Sequence, residues 1–194
     1  MTNINRNWLL LALLLPTLSG CEAFIATGII TGIGTGLAVS EDRRTSGTFV
    51  EDEGIELKST KLIREKLGAS VHVNVTSFNR NVLLTGEVPT EVIKKEVENL
   101  VKDINSVRNI TNEIAVANTS TLISRSNDML ITTKVKGRFL ENGRFQINHI
   151  KVVTENGVIY LLGLVKRQEA ESAAELASST SGVLKVVKVF EYLD

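Results

Sequence analysis

Apolar and polar positions alternate in two stretches of the chain that copy each other. In the first, Val71, Val73 and Val75 alternate with His72 and Asn74, and Val82-Leu83-Leu84-Thr85-Gly86 follows. A period of two puts the valines on one face of a strand and His72 and Asn74 on the other. Shifting the chain by 77 positions lays Val73 and Val75 on Ile150 and Val152, and the second run on Ile159-Tyr160-Leu161-Leu162-Gly163. Asn156-Gly157 between the later strands is the strongest short hairpin signal there is. Asn79-Arg80-Asn81 in the first copy predicts a looser turn.

Helical spacing takes over after each hairpin. Ile93, Val97, Leu100, Val101 and Ile104 form one stripe, and Pro89 suits the first turn of that helix. Ala170, Ala173, Ala174 and Ala177 let the matching helix of the second copy approach its sheet closely. The last strands, Ile110–Val116 and Lys185–Tyr192, alternate again, here with an offset of 76. A strand–helix–strand crossover is right-handed and leaves the last strand parallel to the second. Before each hairpin a further helix is expected; in copy two Asn127 or Asp128 would cap it, and it would run to about Leu140 with Gly143 just beyond. The predicted class is α+β, with two tandem αββαβ modules at 55–117 and 126–194 joined by a linker, 118–125. Each is a small three-stranded mixed sheet covered on one face by two helices, and the modules are expected to fold separately.

Composition removes several function classes. The chain of 194 residues carries 22 Lys+Arg against 22 Asp+Glu, so it lacks the basic excess of a nucleic-acid-binding protein. One cysteine excludes a disulfide scaffold and a cysteine zinc site, and two histidines leave little for triad chemistry. No catalytic centre, cofactor or metal is expected. Residues 22–120 hold 11 basic and 14 acidic side chains, whereas 121–194 hold 10 and 8, so the second half is the better match for an anionic surface.

The amino end reads as a sorting signal. Met1 to Asn7 is polar with Arg6, Trp8 to Leu15 is apolar, and Leu18-Ser19-Gly20-Cys21 closes the segment. The apolar run falls short of the roughly 20 residues of a spanning helix. The ending resembles the bacterial lipoprotein box, which implies a signal peptide of residues 1–20 and acylation of Cys21. Glu22 rather than Asp after the cysteine implies the outer membrane. Ala23 to Val39 is uncharged and includes Gly28, Gly32, Gly34 and Gly36. It reads as an apolar flexible tether, with a membrane helix as the alternative. Ser40 to Gly54 is polar and charged, as a solvated linker would be, so residues 21–54 are assigned to anchor and tether.

The Val-x-Val strand, Gly86 or Gly163 ending the second strand, and Gly182-Val183 before the last resemble the BON domain. The lipobox, Asp42-Arg43-Arg44 and Ser126-Asn127-Asp128 through Lys134-Val135 make the whole chain similar to dual-BON outer-membrane lipoproteins. It departs from them at Leu130, where an aromatic is usual, and in a shortened segment between Leu67 and Val71. The resemblance implies a non-enzymatic, lipid-anchored protein facing the periplasm. Its second module would bind anionic phospholipid and its first would be structural. Such a protein helps maintain outer-membrane integrity, with links to cell division and envelope stress.

The residues themselves point to one candidate surface. At about 100° per residue, Asp128, Ile131, Val135 and Phe139 fall on the sheet side of their helix. Met129, Leu130, Gly137 and Leu140 fall opposite, flanked by Lys134, Lys136 and Arg138. Apolar residues between cations suit an anionic membrane interface. The candidate lipid-binding set is therefore Met129, Leu130, Lys134, Lys136, Arg138 and Leu140. Packing of this face against the first module is the alternative. A scaffold for envelope-assembly or division proteins is the second functional reading. His72 and His149 open equivalent strands, and the alternation makes theirs a solvated face, with a metal or pH-sensing pair as the sharper option. The Glu91/Glu96/Glu98 and Glu169/Glu171/Glu175 groups read as solubilising charge on outer helix faces.

Overall fold

The computed structural model describes residues 42–68 and 71–194. The expected signal peptide and acylated Cys21, and the 23–39 stretch, lie outside the described residues. Among those described, no helix is long and apolar enough to cross a membrane.

The first module runs α1 (Ser46–Leu67), β1 (His72–Phe78), β2 (Asn81–Val88), α2 (Glu91–Lys102), β3 (Asn109–Asn112) and β4 (Ala115–Val116). Strand β1 pairs antiparallel with β2, and β3 and β4 both pair parallel with β2. They are one expected strand in two pieces, broken where the Glu113 amide reaches Leu84 O and Ile114 N turns to Asn112 Oδ1. The second module repeats the order as α3 (Leu122–Glu141), β5 (Ile150–Glu155), β6 (Val158–Val165), α4 (Arg167–Ser178) and β7 (Lys185–Tyr192). Its β7 is continuous and parallel to β6 over eight residue pairs. The expected αββαβ modules with parallel last strands are present in both copies.

Each module has a core between its two helices and one sheet face. Ile55, Ile63, Val82, Leu84, Val97, Val101 and Ile114 fill the first. Ile131, Val135, Phe139, Ile159, Leu161 and the three alanines Ala170, Ala173 and Ala177 fill the second. The alanines leave no exposed surface, which is how α4 sits close on its sheet. Gly86 and Gly163 let the backbone that enters each hairpin's first strand come close. A Cβ on either would lie 2.0 or 2.4 Å from the carbonyl oxygen of His72 or His149, so no other residue fits. Both lie two residues inside their strands rather than at the ends.

The other sheet faces pack on each other. Phe78 and Leu83 of the first module join Tyr160, Leu162 and Leu164 of the second in one buried cluster. The order across this unit is helices, sheet, sheet, helices. This corrects the solvated-strand expectation for His72. Its side chain is only 16% exposed, because the face it shares with Asn74 turns toward the second module. His149 is buried at the head of β5.

The linker expectations change too. From Ser46 onward the supposed solvated stretch is helix, capped by Thr45, whose side chain accepts from Thr48 N. Helix α3 begins at Leu122, with Thr121 rather than Asn127 or Asp128 at its cap. Asp128 instead holds the second hairpin, where its two oxygens accept from Asn156 N and Gly157 N, both at 2.8 Å. Asp52 does the same for the first hairpin, accepting from Asn79 N at 2.8 Å and Arg80 N at 2.7 Å. With both hairpin turns held this way, Asn79-Arg80 is not looser. It adopts the left-handed pair of φ values, 52° and 63°, against 48° and 75° for Asn156-Gly157. Pro89 precedes the Thr90 cap of α2 instead of entering its first turn.

Candidate functional site

Helix α3 presents its core with one side and water with the other. Asp128, Ile131, Val135 and Phe139 are buried, as the spacing predicts. On the far side Met129 is 71% exposed, Leu130 60% and Leu140 69%. The first module packs on the second module's sheet and leaves this helix face open. Lys134 and Lys136 are exposed along its two edges.

The face is more apolar than its composition suggests. Ser126 Oγ donates to Leu122 O and Thr133 Oγ1 to Met129 O, both at 2.9 Å. Hydroxyls folded back on the helix carbonyls present mainly carbon outward. Leu122 and Ile123, in the first turn, are also largely exposed and extend the face by a turn. The sequence pattern hid them because 118–125 reads as a linker. The Thr121 side chain, accepting from Ser124 N, was the signal of an earlier start.

Arg138 stands apart from the other candidates. Its Nη1 donates to Leu176 O at 2.8 Å and lies 2.9 Å from Ser179 Oγ and Thr180 Oγ1. It therefore satisfies the carboxyl end of α4, where the helix dipole favours a cation. A groove of about 410 Å³ runs beside it, between Lys134, Gly137 and Glu141 on α3 and Ser179–Ser181. Five of the six candidate residues thus lie on or beside the open face, and the sixth, Arg138, bridges two helices. Of the acidic groups read as solubilising, Glu169 is an exception. It takes both guanidinium nitrogens of Arg43, at 2.6 and 2.8 Å, and this pairing holds its carboxyl down at about 2.

Comparison with known proteins bears on these features. The BON domain matches residues 57–118 and 127–194. Over 179 residues the chain is 38% identical to the outer membrane lipoprotein DolP of Haemophilus influenzae, covering 91% of each chain. It is 34% identical to the 21 kDa hemolysin of Actinobacillus pleuropneumoniae, over 78% of this chain and 79% of that one. With the osmotically-inducible protein Y of Escherichia coli it shares 24% identity, over 80% of each.

Proposed function

The chain belongs to the BON-domain family, and from that premise we propose that it is a non-enzymatic outer-membrane lipoprotein facing the periplasm. In this reading Cys21 carries the lipid anchor, and the outer face of α3 binds anionic phospholipid. Binding at that face supports outer-membrane integrity, and a division-site role follows the family resemblance. The carrying observation is the open helix face, with Met129, Leu130 and Leu140 each at least 60% exposed between Lys134 and Lys136. A free-standing domain gains nothing from such a face, whereas an interface between water and lipid accepts both its carbon and its charge. Each lysine contributes about 1 kcal/mol near an anionic surface. Each leucine adds at most about 1.5–3 kcal/mol, since the interface is only partly dry.

Co-sedimentation of the chain with vesicles tests the proposal. Phosphatidylglycerol vesicles should retain it, phosphatidylcholine vesicles should not, and retention should fall with salt as screening shortens the reach of the lysines. Leu130→Glu should weaken retention with the thermal midpoint nearly unchanged, while Ile131→Glu should unfold the module. Retention indifferent to headgroup and to Leu130→Glu would transfer the face to a protein partner of the assembly or division machinery.

A further inference from the structure

The two sheets also meet through a polar corner. His72 of β1 stands opposite Glu87 of β2, and Glu155 ends β5 in the other module. His72 Nδ1 is 2.8 Å from Glu87 Oε2 and 4.0 Å from Glu155 Oε1. One donor atom from each side chain lies within 4.8 Å of the others. The carboxylates are nearly out of water, Glu87 at 2% exposure and Glu155 at 7%. We propose that His72, Glu87 and Glu155 form a divalent-metal site, with donors suited to zinc, that fastens one module to the other.

Donor chemistry and geometry support this. One imidazole nitrogen and two carboxylate oxygens, with water in fourth place, is a set that zinc accepts, whereas magnesium and calcium favour oxygen alone. Zinc–ligand distances of about 2.0–2.2 Å put tetrahedral donors about 3.4 Å apart. Glu155 must close in on His72 from 4.0 Å and Glu87 ease away from 2.8 Å, and the two carboxylate oxygens, within 4.8 Å of each other, must draw together to the same spacing. A cavity of about 270 Å³ beside the site, bounded by His72, Arg125, Asp128, Thr132 and Glu155, has room for the water.

Charge at the corner favours a cation. Two nearly buried carboxylates, Glu87 and Glu155, face a single imidazole, and buried Asp128 lines the same cavity. Asp128 is engaged with the turn amides, and Arg125 is held to Ser120 by two hydrogen bonds. Outer partners orient the two carboxylates. Asn74 Nδ2 donates to Glu155 Oε2 at 2.8 Å, and Glu87 accepts from the Ser120 amide at 3.2 Å and from Asn156. The sequence did not disclose the site, because its ligands are split between modules and meet only when the sheets pack.

Zinc titration of the full chain, followed by calorimetry and thermal melts against an EDTA control, tests it. One zinc should bind per chain and raise the midpoint, and magnesium should not substitute. His72→Ala and Glu155→Gln should each weaken zinc affinity at least about 10-fold while both variants still melt cooperatively in EDTA. NMR should show the His72 ring signals moving on zinc addition. Zinc affinity unaltered in both variants would overturn the site. So would a midpoint that follows protonation of His72 and ignores zinc, since the corner would then be a plain ion pair.

Discussion

Helix α1 offers its core Asp52, Ile55, Ser59 and Ile63, and α3 offers Asp128, Ile131, Val135 and Phe139 at the same four positions of the repeat. Outside, the correspondence fails. Glu53, Gly54 and Arg64 stand where α3 has Met129, Leu130 and Leu140, 76 positions later. One helix wears a mixed, charged face, and the other wears carbon bordered by lysines. The comparison separates two kinds of constraint. The inner positions answer to packing and to the hairpin that each aspartate holds. The outer positions answer to whatever lies beyond the helix: α1 exposes Val50 and Leu57 there among charges, whereas α3 exposes Leu122, Ile123, Met129, Leu130 and Leu140.

The largest effect is expected where the inner faces agree. Asp52 accepts from Arg44 Nη1 at 2.9 Å and Ser77 Oγ at 2.6 Å in addition to its two turn amides. Arg44 in turn lies over the Phe78 ring, 4.0 Å from its centroid. Asp52→Ala would strand two amides and the Ser77 hydroxyl and leave Arg44 with Asp42 alone, at 2.7 Å, so a loss of about 3–4 kcal/mol is expected in urea unfolding. Asp128→Ala strands the amides alone and should cost about 2–3 kcal/mol. Equal losses would mean that Arg44 contributes nothing to the difference.

The next test exchanges the outer faces. Writing α1 residues onto α3, as Met129→Glu with Leu140→Arg, should reduce retention on phosphatidylglycerol vesicles by about 10–100-fold, because two partly buried side chains leave the interface. The thermal midpoint should hardly move, since neither residue touches the core. A large drop in midpoint with retention intact would show that the two outer faces are equivalent after all.

Two adjacent arginines extend the comparison, for Arg44 serves the first module and Arg43 the second. Arg43 pairs with Glu169 and also donates to Leu164 O at 2.8 Å. Because Glu169 sits at about 2, well below its ordinary 4.5, its stabilisation is complete above 4.5 and is lost as pH falls toward 2. The stability gap between the parent chain and Glu169→Gln should therefore close over that range. A gap that persists at the acid end would mean that the pair is not what joins Arg43 to the module.

Much of this was legible in the sequence. The inward stripe of α3, the paired hairpins and the parallel last strands all follow from periodicity, because packing reads one face at a time. What was hidden depended on a second partner. Asp52 looks like a solvent residue, and Asp128 like a helix cap on the sheet side, until a turn supplies their amides. The sheet-on-sheet layer was signalled by Val82-Leu83-Leu84 and Tyr160-Leu161-Leu162, unbroken apolar runs of the kind that mark strands buried on both sides. Alternation at His72 and Asn74 masked that signal, since polar residues can face a neighbouring module as well as water.

The smallest effect concerns the turns. Arg80 holds a φ of 63° at the position where the second hairpin has Gly157 at 75°. A side chain in this left-handed region costs about 1–2 kcal/mol, which glycine avoids. Glycine also gives the unfolded chain more freedom, returning about 0.4–1 kcal/mol of that gain. Beyond this, Arg80 has a 3.7 Å contact with Glu51, both side chains more than a third exposed, and such pairs contribute little. Arg80→Gly should thus stabilise the chain by about 0–1.5 kcal/mol, a rise of at most about 3–6 °C in midpoint. The reverse change, Gly157→Arg, should be unfavourable by about the strain alone, because the Leu184 side chain that a new Cβ would meet at 2.9 Å is 80% exposed and can move aside. If Arg80→Gly lowered the midpoint instead, the aspartate clamp would already relieve the strain in the first turn, and the two hairpins would differ in how they are held rather than in which residues they tolerate.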